Sequence, residues 1–360
     1  MLPNTLPNRR LQSLQVLRGL AALYVLLFHL GLFSSQLTKT TFLHNVFQHG
    51  GLGVSCFFVL SGFIIYYIHG RDIGQPGKSR AYFMRRLIRV YPLLFLATLT
   101  KVAYVFTIGR GIPDDAKSPS VIISSFLMVP IPNRFPLISV AWTLSHEMLF
   151  YVFFLFLIIL YRRCALPLIV FWLSCCVFMS FSRDISITPP LNFLFSPYNL
   201  QFILGVACAW CIQRTRHMQL LTLALPSSLC LAAVGLYYFY PLEAIGGAIS
   251  KAYWGVTFFL MTLGAVSLES VAPIRFPNFL VFLGDASYSI YLFHTSFLHL
   301  MFLSYGYCYP ASTSISQLTL AAFGIGSLLA TLGAYILVER PMQTRLRSWL
   351  KRQEHTTSTI

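Results

Sequence analysis

Ten apolar segments constrain the fold of this chain more than any other feature, because each can cross a lipid bilayer as a helix. They lie near residues 14–34, 51–69, 87–108, 138–160, 165–182, 193–212, 219–240, 248–268, 280–304 and 316–338. A helix needs about 20 predominantly apolar residues to cross the hydrocarbon core. Only 10% of the 360 residues are charged, whereas a typical soluble domain has about 25%. We therefore predict an all-α, polytopic transmembrane helix bundle of about ten spans.

The distribution of Lys and Arg predicts the orientation of this bundle. With the N-terminus placed in the cytoplasm, that side carries 18 Lys and Arg side chains and the opposite side carries six. Because cytoplasmic loops hold the excess of positive charge, both termini are predicted to be cytoplasmic. The formal net charge of +16 then reflects contact with the lipid bilayer and not with nucleic acid. Residues 1–345 are predicted to form the integral membrane domain and residues 346–360 a basic polar tail, the chain after Pro341 being loose.

The first apolar segment carries an arginine and a histidine on one face. Eleven residues separate Arg18 from His29, so at about 100° per residue both side chains share a face, roughly 16 Å apart along the axis. Ionisable side chains are costly in lipid, and the stripe is therefore expected to face protein or a wet cavity. The alternative is structural: Arg18 snorkels to the headgroups and His29 is a satisfied buried histidine.

The fourth segment places His146 and Glu147 well inside the membrane. A carboxylate at this depth is a candidate for function. The structural alternative is a buried ion pair with an arginine of another helix, such as Arg18. The pair His146-Glu147 begins like a zinc-binding HExxH motif, but Phe150 occupies the position of the second histidine, so no metal site is expected.

Two further groups of polar residues accompany apolar segments. Arg85 and Arg89 are one turn apart at the predicted start of the third helix, where backbone N–H groups also favour anions. They form either a cluster that sets membrane orientation or a dock for the phosphates of a cytosolic donor. In the ninth segment Ser287, Tyr291 and His294 share one face, and helix packing is as good an explanation for them as a site.

These motifs resemble those of the acyltransferase-3 family of membrane O-acyltransferases, in family order and over nearly the whole chain. The matching residues are Arg18 and His29, Phe57-Phe-Val-Leu-Ser61-Gly62-Phe63, Arg85-Arg86-Leu-Ile-Arg89-Val-Tyr-Pro92, Trp142-Thr143-Leu-x-x-Glu147-x-x-Phe150-Tyr151, Gly284-x-x-Ser287-Tyr288-x-x-Tyr291-x-x-His294 and Glu339-Arg340-Pro341. Thr143 stands where the family usually has serine, and it keeps the hydroxyl.

The resemblance implies an enzyme that uses acyl-CoA, by default acetyl-CoA, as a cytosolic co-substrate with no permanently bound cofactor. The acceptor would be a hydroxyl of an extracytoplasmic carbohydrate or similar molecule, and the location a bacterial inner membrane. The resemblance gives catalytic roles to Arg18, His29 and Glu147, donor binding to Arg18, Arg85, Arg86 and Arg89, and substrate positioning to Ser61, Trp142, Tyr288, Tyr291 and His294. His29 would be the general base, and an acyl-His29 intermediate is the variant left open.

A transporter or flippase is the alternative function. Buried Arg, His and Glu side chains in a bundle of ten spans suit a polar cargo or a proton equally well. No internal repeat is visible in the sequence, which weighs mildly against the transporter classes built from paired halves. Consumption of acyl-CoA in vesicles without cargo movement would distinguish an acyltransferase from a transporter.

Overall fold

The computed structural model describes residues 11–109, 113–132, 134–181, 191–215, 217–238, 247–272, 274–308 and 315–358. Over these residues the regular structure is helical. The helices are α1 (Gln12–Thr38), α2 (Gly53–His69), α3 (Ser79–Thr107), α4 (Pro119–Leu127), α5 (Trp142–Ile159), α6 (Arg162–Phe181), α7 (Leu191–Leu194), α8 (Tyr198–Arg214), α9 (Met218–Leu221), α10 (Ala224–Tyr238), α11 (Gly247–Val271), α12 (Asn278–Asp285), α13 (Ser287–Cys308), α14 (Gln317–Ala334) and α15 (Arg340–Ser358).

The predicted transmembrane helix bundle is confirmed. Within the described ranges nine helices are long and apolar enough to cross a membrane. The predicted span near 280–304 corresponds to α12 and α13, which are separated at Ala286, and α13 is not among the nine. Ser, Tyr, His and Thr side chains on its buried face lower the mean hydropathy of α13. Such side chains are tolerated there because this face meets other helices and not lipid. The number of spans and the location of the termini stay predictions.

Helix α1 lies at the centre of the bundle, in contact with α2, α11, α12, α13 and α14. Its buried side chains include Ala22, Val25, Leu26 and Leu30, each at most 1% exposed. A helix surrounded by other helices can carry polar side chains at membrane depth without exposing them to lipid. The central position of α1 therefore permits both Arg18 and His29.

The N-terminus of α1 is held by a carboxylate from another helix. Glu269 of α11 is 7% exposed and accepts hydrogen bonds from the backbone N–H groups of Gln12 at 2.9 Å and Ser13 at 2.8 Å. The first N–H groups of a helix have no partner within it, and the positive end of the helix favours an anion. Leu11 at the N-cap has no side-chain oxygen that could accept these hydrogen bonds. Glu269 therefore takes the place of an N-cap side chain and fixes where α1 begins.

Glycines allow the backbones of α2 and α8 to approach closely. A Cβ atom added at Gly62 would lie 1.9 Å from the carbonyl oxygen of Phe202, and one at Gly205 would lie 2.0 Å from that of Val59. Such contacts cannot exist with any other residue, and small residues commonly serve this purpose in membrane helices. The tight pair fixes Ser61, the neighbour of Gly62, against the rest of the bundle.

The expectation of a loose chain after Pro341 is wrong for the described residues, because α15 continues as a helix to Ser358. Pro341 lies in the first turn of α15, where a missing N–H group is tolerated, directly after a π-helical turn at Tyr335–Glu339. The helix is amphipathic: Met342 packs against the core and Leu350 is 9% exposed. The composition of this segment is dominated by charged residues, so composition alone does not indicate the apolar face.

We predict opposite effects for the same glycine substitution at two helix positions. Gly205→Ala should lower the unfolding temperature by several degrees, because the new methyl group meets backbone atoms of α2. At Gly31 in α1 an added Cβ atom would have no neighbour within 4 Å among the described residues. Gly31→Ala should therefore keep or raise the unfolding temperature, since alanine is favoured over glycine in a helix by about 1 kcal/mol. Thermal unfolding of the purified protein in detergent measures both, and a Gly205→Ala protein as stable as wild type would contradict the packing described.

Candidate active site

Two cavities share four side chains. The mouth cavity has a volume of about 980 Å³ and includes Arg85, Arg86 and Lys351 in its wall, which places it on the side predicted to be cytoplasmic. The inner cavity has a volume of about 60 Å³ and reaches Tyr288 and Tyr291. The shared side chains, here called the waist, are Arg18, Ser61, Arg89 and Glu147.

The carboxylate at the waist is held by hydroxyl groups. Oε1 of Glu147 accepts a hydrogen bond from Ser61 Oγ at 3.1 Å and another from the hydroxyl of Tyr151. Arg18 and Glu147 form no ion pair within 4 Å, so the buried pair considered as a structural alternative is not formed. Among the described residues the Arg18 guanidinium also has no hydrogen-bond partner. A cation without a partner in a cavity wall is available to a negatively charged ligand.

Arg89 is the paired arginine of the waist. It donates to Glu339 at 2.8 Å and to Gln343 at 3.0 Å, and it lies over the ring of Tyr288 at 5.4 Å. Glu339 is 1% exposed and also accepts from the backbone N–H and the hydroxyl of Ser289, at 3.2 and 2.7 Å. These bonds satisfy the buried carboxylate fully. Glu339 thus fixes the position of Arg89 between the two cavities.

The other two arginines of this cluster face the mouth cavity. Arg86 lies 5.8 Å from the ring centres of both Tyr82 and Tyr151, and its buried Nε atom has no hydrogen-bond partner in the part of the chain that the structure describes. Arg85 donates to Glu354 of α15 at 2.9 Å. The prediction that the cluster lies at a helix start is wrong, because α3 begins at Ser79. Backbone N–H groups therefore do not contribute to an anion site here, and only side chains can.

The tyrosines of the inner cavity donate to the protein itself. The hydroxyl of Tyr288 donates to the carbonyl oxygen of Val90 at 2.8 Å. The hydroxyl of Tyr291 is 2.9 Å from Thr143 Oγ1 and 3.3 Å from the carbonyl oxygen of Val140. In this arrangement the two phenols offer lone pairs to the cavity, since their protons are engaged.

His29 lies beyond the inner cavity, in contact with His294. The ring of His294 is 6.1 Å from that of Tyr291 and 4.9 Å from that of His29, and neither cavity includes His29 in its wall. Nδ1 of His29 is 3.0 Å from the carbonyl oxygen of Val25, and Nδ1 of His294 is 2.9 Å from that of Ile290. A carbonyl oxygen only accepts, so Nδ1 carries the proton in both rings.

The contact between the two rings then has a defined direction. Nε2 of His294 lies 3.1 Å from Nδ1 of His29, and with Nδ1 of His294 protonated its neutral Nε2 is the acceptor. The His29 Nδ1–H group therefore points at Val25 and His294, and Nε2 of His29 carries the lone pair. His29 is half-buried.

The structure brings most of the predicted site residues together, although their roles stay predictions. Around the waist and inner cavity lie Arg18, Ser61, Arg89, Glu147, Tyr288 and Tyr291, and around the mouth Arg85 and Arg86. Trp142 lies instead against Tyr198 and His146, at ring distances of 5.3 and 5.8 Å.

The sequence analysis did not propose Glu339 as a site residue. The signal that could have found it is its position at the start of the last matching motif, Glu339-Arg340-Pro341. In the described part of the chain no group of three or more His, Cys, Asp or Glu side chains suits a metal ion.

Comparison with known proteins gives one family and several relatives. The model of a family described as an acyltransferase domain matches residues 11–339. The exopolysaccharide production protein ExoZ of Rhizobium meliloti is 28% identical over 313 residues, which cover 84% of this chain and 92% of that protein. Acyltransferase MdmB of Streptomyces mycarofaciens is 31% identical over 155 residues, or 40% of this chain and 38% of that protein. No solved structure matches the chain significantly.

We predict unequal effects for the loss of two carboxylates in the C-terminal region. Glu339→Gln should lower the unfolding temperature strongly, because it leaves Arg89 without its anion, and breaking a buried ion pair costs about 3–5 kcal/mol. Glu354→Gln removes an exposed ion pair with side chains 51% and 35% exposed, which is worth at most about 1 kcal/mol. Thermal unfolding in detergent compares them, and equal stability of the two variants would contradict the buried network.

Proposed function

Because this chain belongs to the acyltransferase-3 family of membrane acyltransferases, we propose that it moves an acetyl group from cytosolic acetyl-CoA to a hydroxyl of an extracytoplasmic carbohydrate. The observation that carries the proposal is the waist, where a large cavity lined with arginines meets a small cavity lined with tyrosines. The mouth cavity would take the phosphate groups of acetyl-CoA, and the inner cavity would take its thioester.

The donor is proposed to bind in the mouth cavity. Arginine side chains bind phosphate groups through charge-assisted hydrogen bonds. Arg18 and Arg86 both lie in the wall of the mouth cavity, and neither guanidinium makes a hydrogen bond to a described residue. A volume of about 980 Å³ lies at the upper end of the range for small-molecule sites, about 300–1,000 Å³. In this arrangement the pantetheine arm would pass the waist toward Tyr288 and Tyr291.

Glu147 is proposed to hold a substrate group at the waist. Oε1 already receives two protein hydroxyl groups, which leaves Oε2 to accept from an amide N–H of the pantetheine arm or from the acceptor. Since the tyrosine protons are engaged, Tyr288 and Tyr291 would orient substrates through contact and their lone pairs. Arg18 lies about 16 Å from His29 along α1, too far to contact an oxyanion that forms beside His29. Arg18 is proposed instead to bind a negatively charged group of the donor at the waist.

His29 is proposed to act as general base through Nε2. As the acceptor oxygen attacks the thioester carbon, Nε2 takes the hydroxyl proton. The tetrahedral intermediate then collapses, the C–S bond breaks, and the proton passes from His29 to the sulfur, which leaves as coenzyme A. The ester product keeps the acyl group and His29 returns to its starting form. His294 and the carbonyl oxygen of Val25 hold the ring through Nδ1–H during both proton transfers.

The thioester must pass Phe57 and Tyr291 to reach His29. These two rings are 5.5 Å apart and both line the inner cavity, whose volume of about 60 Å³ is only a few times the volume needed to hold one water molecule. We therefore include in the proposal a movement of the Phe57 and Tyr291 side chains when donor binds. The helix bundle would keep its arrangement, because side-chain rotamer changes on binding are common where the backbone moves little.

The acceptor is proposed to be an exopolysaccharide or its lipid-linked precursor. The support is the similarity over 84% of this chain to a protein named for exopolysaccharide production. The proposed location is a bacterial inner membrane, since donor and acceptor would then lie on opposite sides of the bilayer.

We predict that His29→Ala and Arg18→Ala each abolish acceptor acetylation. Loss of a general base lowers the rate by about 10²–10⁴-fold, and loss of Arg18 removes the free cation at the waist. Mass spectrometry of envelope polysaccharide from cells that lack the gene and carry each variant measures acetyl content. His217→Ala, at an exposed histidine, is the matched control. Near-normal acetylation by His29→Ala protein that inserts normally would remove His29 from the mechanism.

We predict that His294 acts by orienting His29. His294→Ala should lower kcat for acetyl transfer about tenfold or more with KM for acetyl-CoA little changed, because His29 loses an acceptor for Nδ1–H. His294→Asn should restore part of the rate, since its carbonyl oxygen can accept the same hydrogen bond. Steady-state kinetics on purified protein compares the two variants. Equal rates for the Ala and Asn variants would show that His294 only fills space.

A further inference from the structure

We propose that the C-terminal helix α15 forms one wall of the donor site, where Arg347 and Lys351 bind phosphate groups and Glu354 occupies Arg85 until donor arrives. The inference rests on the proposed use of acetyl-CoA. It assigns function to a segment that lies outside the matched family region, which ends at residue 339.

The spacing of residues on α15 supports this placement. Arg340, Thr344, Arg347, Lys351 and Glu354 all lie in the wall of the mouth cavity, and they recur every three or four residues. Such positions share one helix face. Arg345 and Arg352 lie off this stripe and are exposed, and they do not line the cavity.

The charge balance of the mouth cavity calls for an anionic ligand. Its wall holds seven Arg and Lys side chains against four Asp and Glu side chains. Arg86 lies in this wall and makes no hydrogen bond to any described residue, so its guanidinium is available to an anion in the cavity. Coenzyme A carries three phosphate groups, and Arg347 and Lys351 stand opposite the arginines of α3 where such groups would bind.

The carboxylate of Glu354 occupies the position at Arg85 where a phosphate group of the donor would bind. One terminal nitrogen of Arg85 contacts both carboxylate oxygens of Glu354, at 2.9 and 3.1 Å. Both side chains are at least one-third exposed, so the pair is weak. A phosphate group with a larger charge would displace the carboxylate, and the displaced carboxylate would then oppose binding by like-charge repulsion.

Binding of coenzyme A to the full-length protein in phosphatidylcholine nanodiscs tests the inference by isothermal titration calorimetry. Arg347→Gln and Lys351→Gln should each weaken binding about fivefold, as expected for the loss of one partly exposed charge contact. Glu354→Gln should tighten binding about threefold, because the competing carboxylate is gone. Arg345→Gln, off the stripe, is the charge-matched control and should bind as wild type does.

The outcomes separate this inference from the function on which it rests. If the wild-type protein does not bind coenzyme A, the proposed function fails. If it binds but Arg347→Gln and Lys351→Gln bind equally well, or Glu354→Gln binds more weakly, the inference on α15 is overturned and the proposed function stands. The same titrations in phosphatidylglycerol nanodiscs distinguish coenzyme A phosphates from lipid phosphates as the ligand of Arg347 and Lys351. If the variants differ from wild type only in phosphatidylglycerol, the two side chains bind lipid headgroups and the inference is overturned. A tighter-binding Glu354→Gln variant cannot be explained by a damaged fold.

Discussion

The ion pair between Arg89 and Glu339 is the interaction on which the rest of the site depends. The two residues are 250 positions apart and belong to α3 and to the turn that leads into α15, while Ser289 ties the same carboxylate to α13. A buried carboxylate is tolerated only when its charge is matched and its lone pairs are engaged. Satisfying this single carboxylate therefore sets the relation of three parts of the chain around the waist.

Paired and unpaired charges have different roles in this arrangement. Arg89 is committed to Glu339 and shapes the waist, whereas Arg18 has no partner among the described residues and is available to a ligand. The carboxylates differ in the same way: Glu339 is saturated by donors, while among the described residues Glu147 receives hydroxyl groups at one oxygen only. A site that must bind a polyanion and transfer an acyl group needs both a rigid frame and unfilled donors, and the protein divides these tasks between neighbouring residues.

The bundle itself was predictable because long apolar runs have few alternatives in a bilayer. Arg18, Ser61 and Glu147 could be proposed as site residues because each lies in an apolar segment or a motif, yet their meeting at one waist required the packing of α1, α2 and α5. The pairing of His29 with His294, 265 positions away, has no local signal. α15 was missed because its stripe of cavity-facing residues alternates with other charged residues, and the start of α3 was misplaced because its first turns are polar.

The central claim is that an activated acyl group enters at the arginine-lined mouth and reaches an alcohol on the other side of the bilayer. Purified protein in sealed vesicles, sorted for one orientation, tests it directly with labelled acetyl-CoA on one side and envelope polysaccharide on the other. The account predicts label on the polysaccharide only when acetyl-CoA faces the mouth cavity. Label transferred only when donor and polysaccharide share one side of the membrane would contradict it.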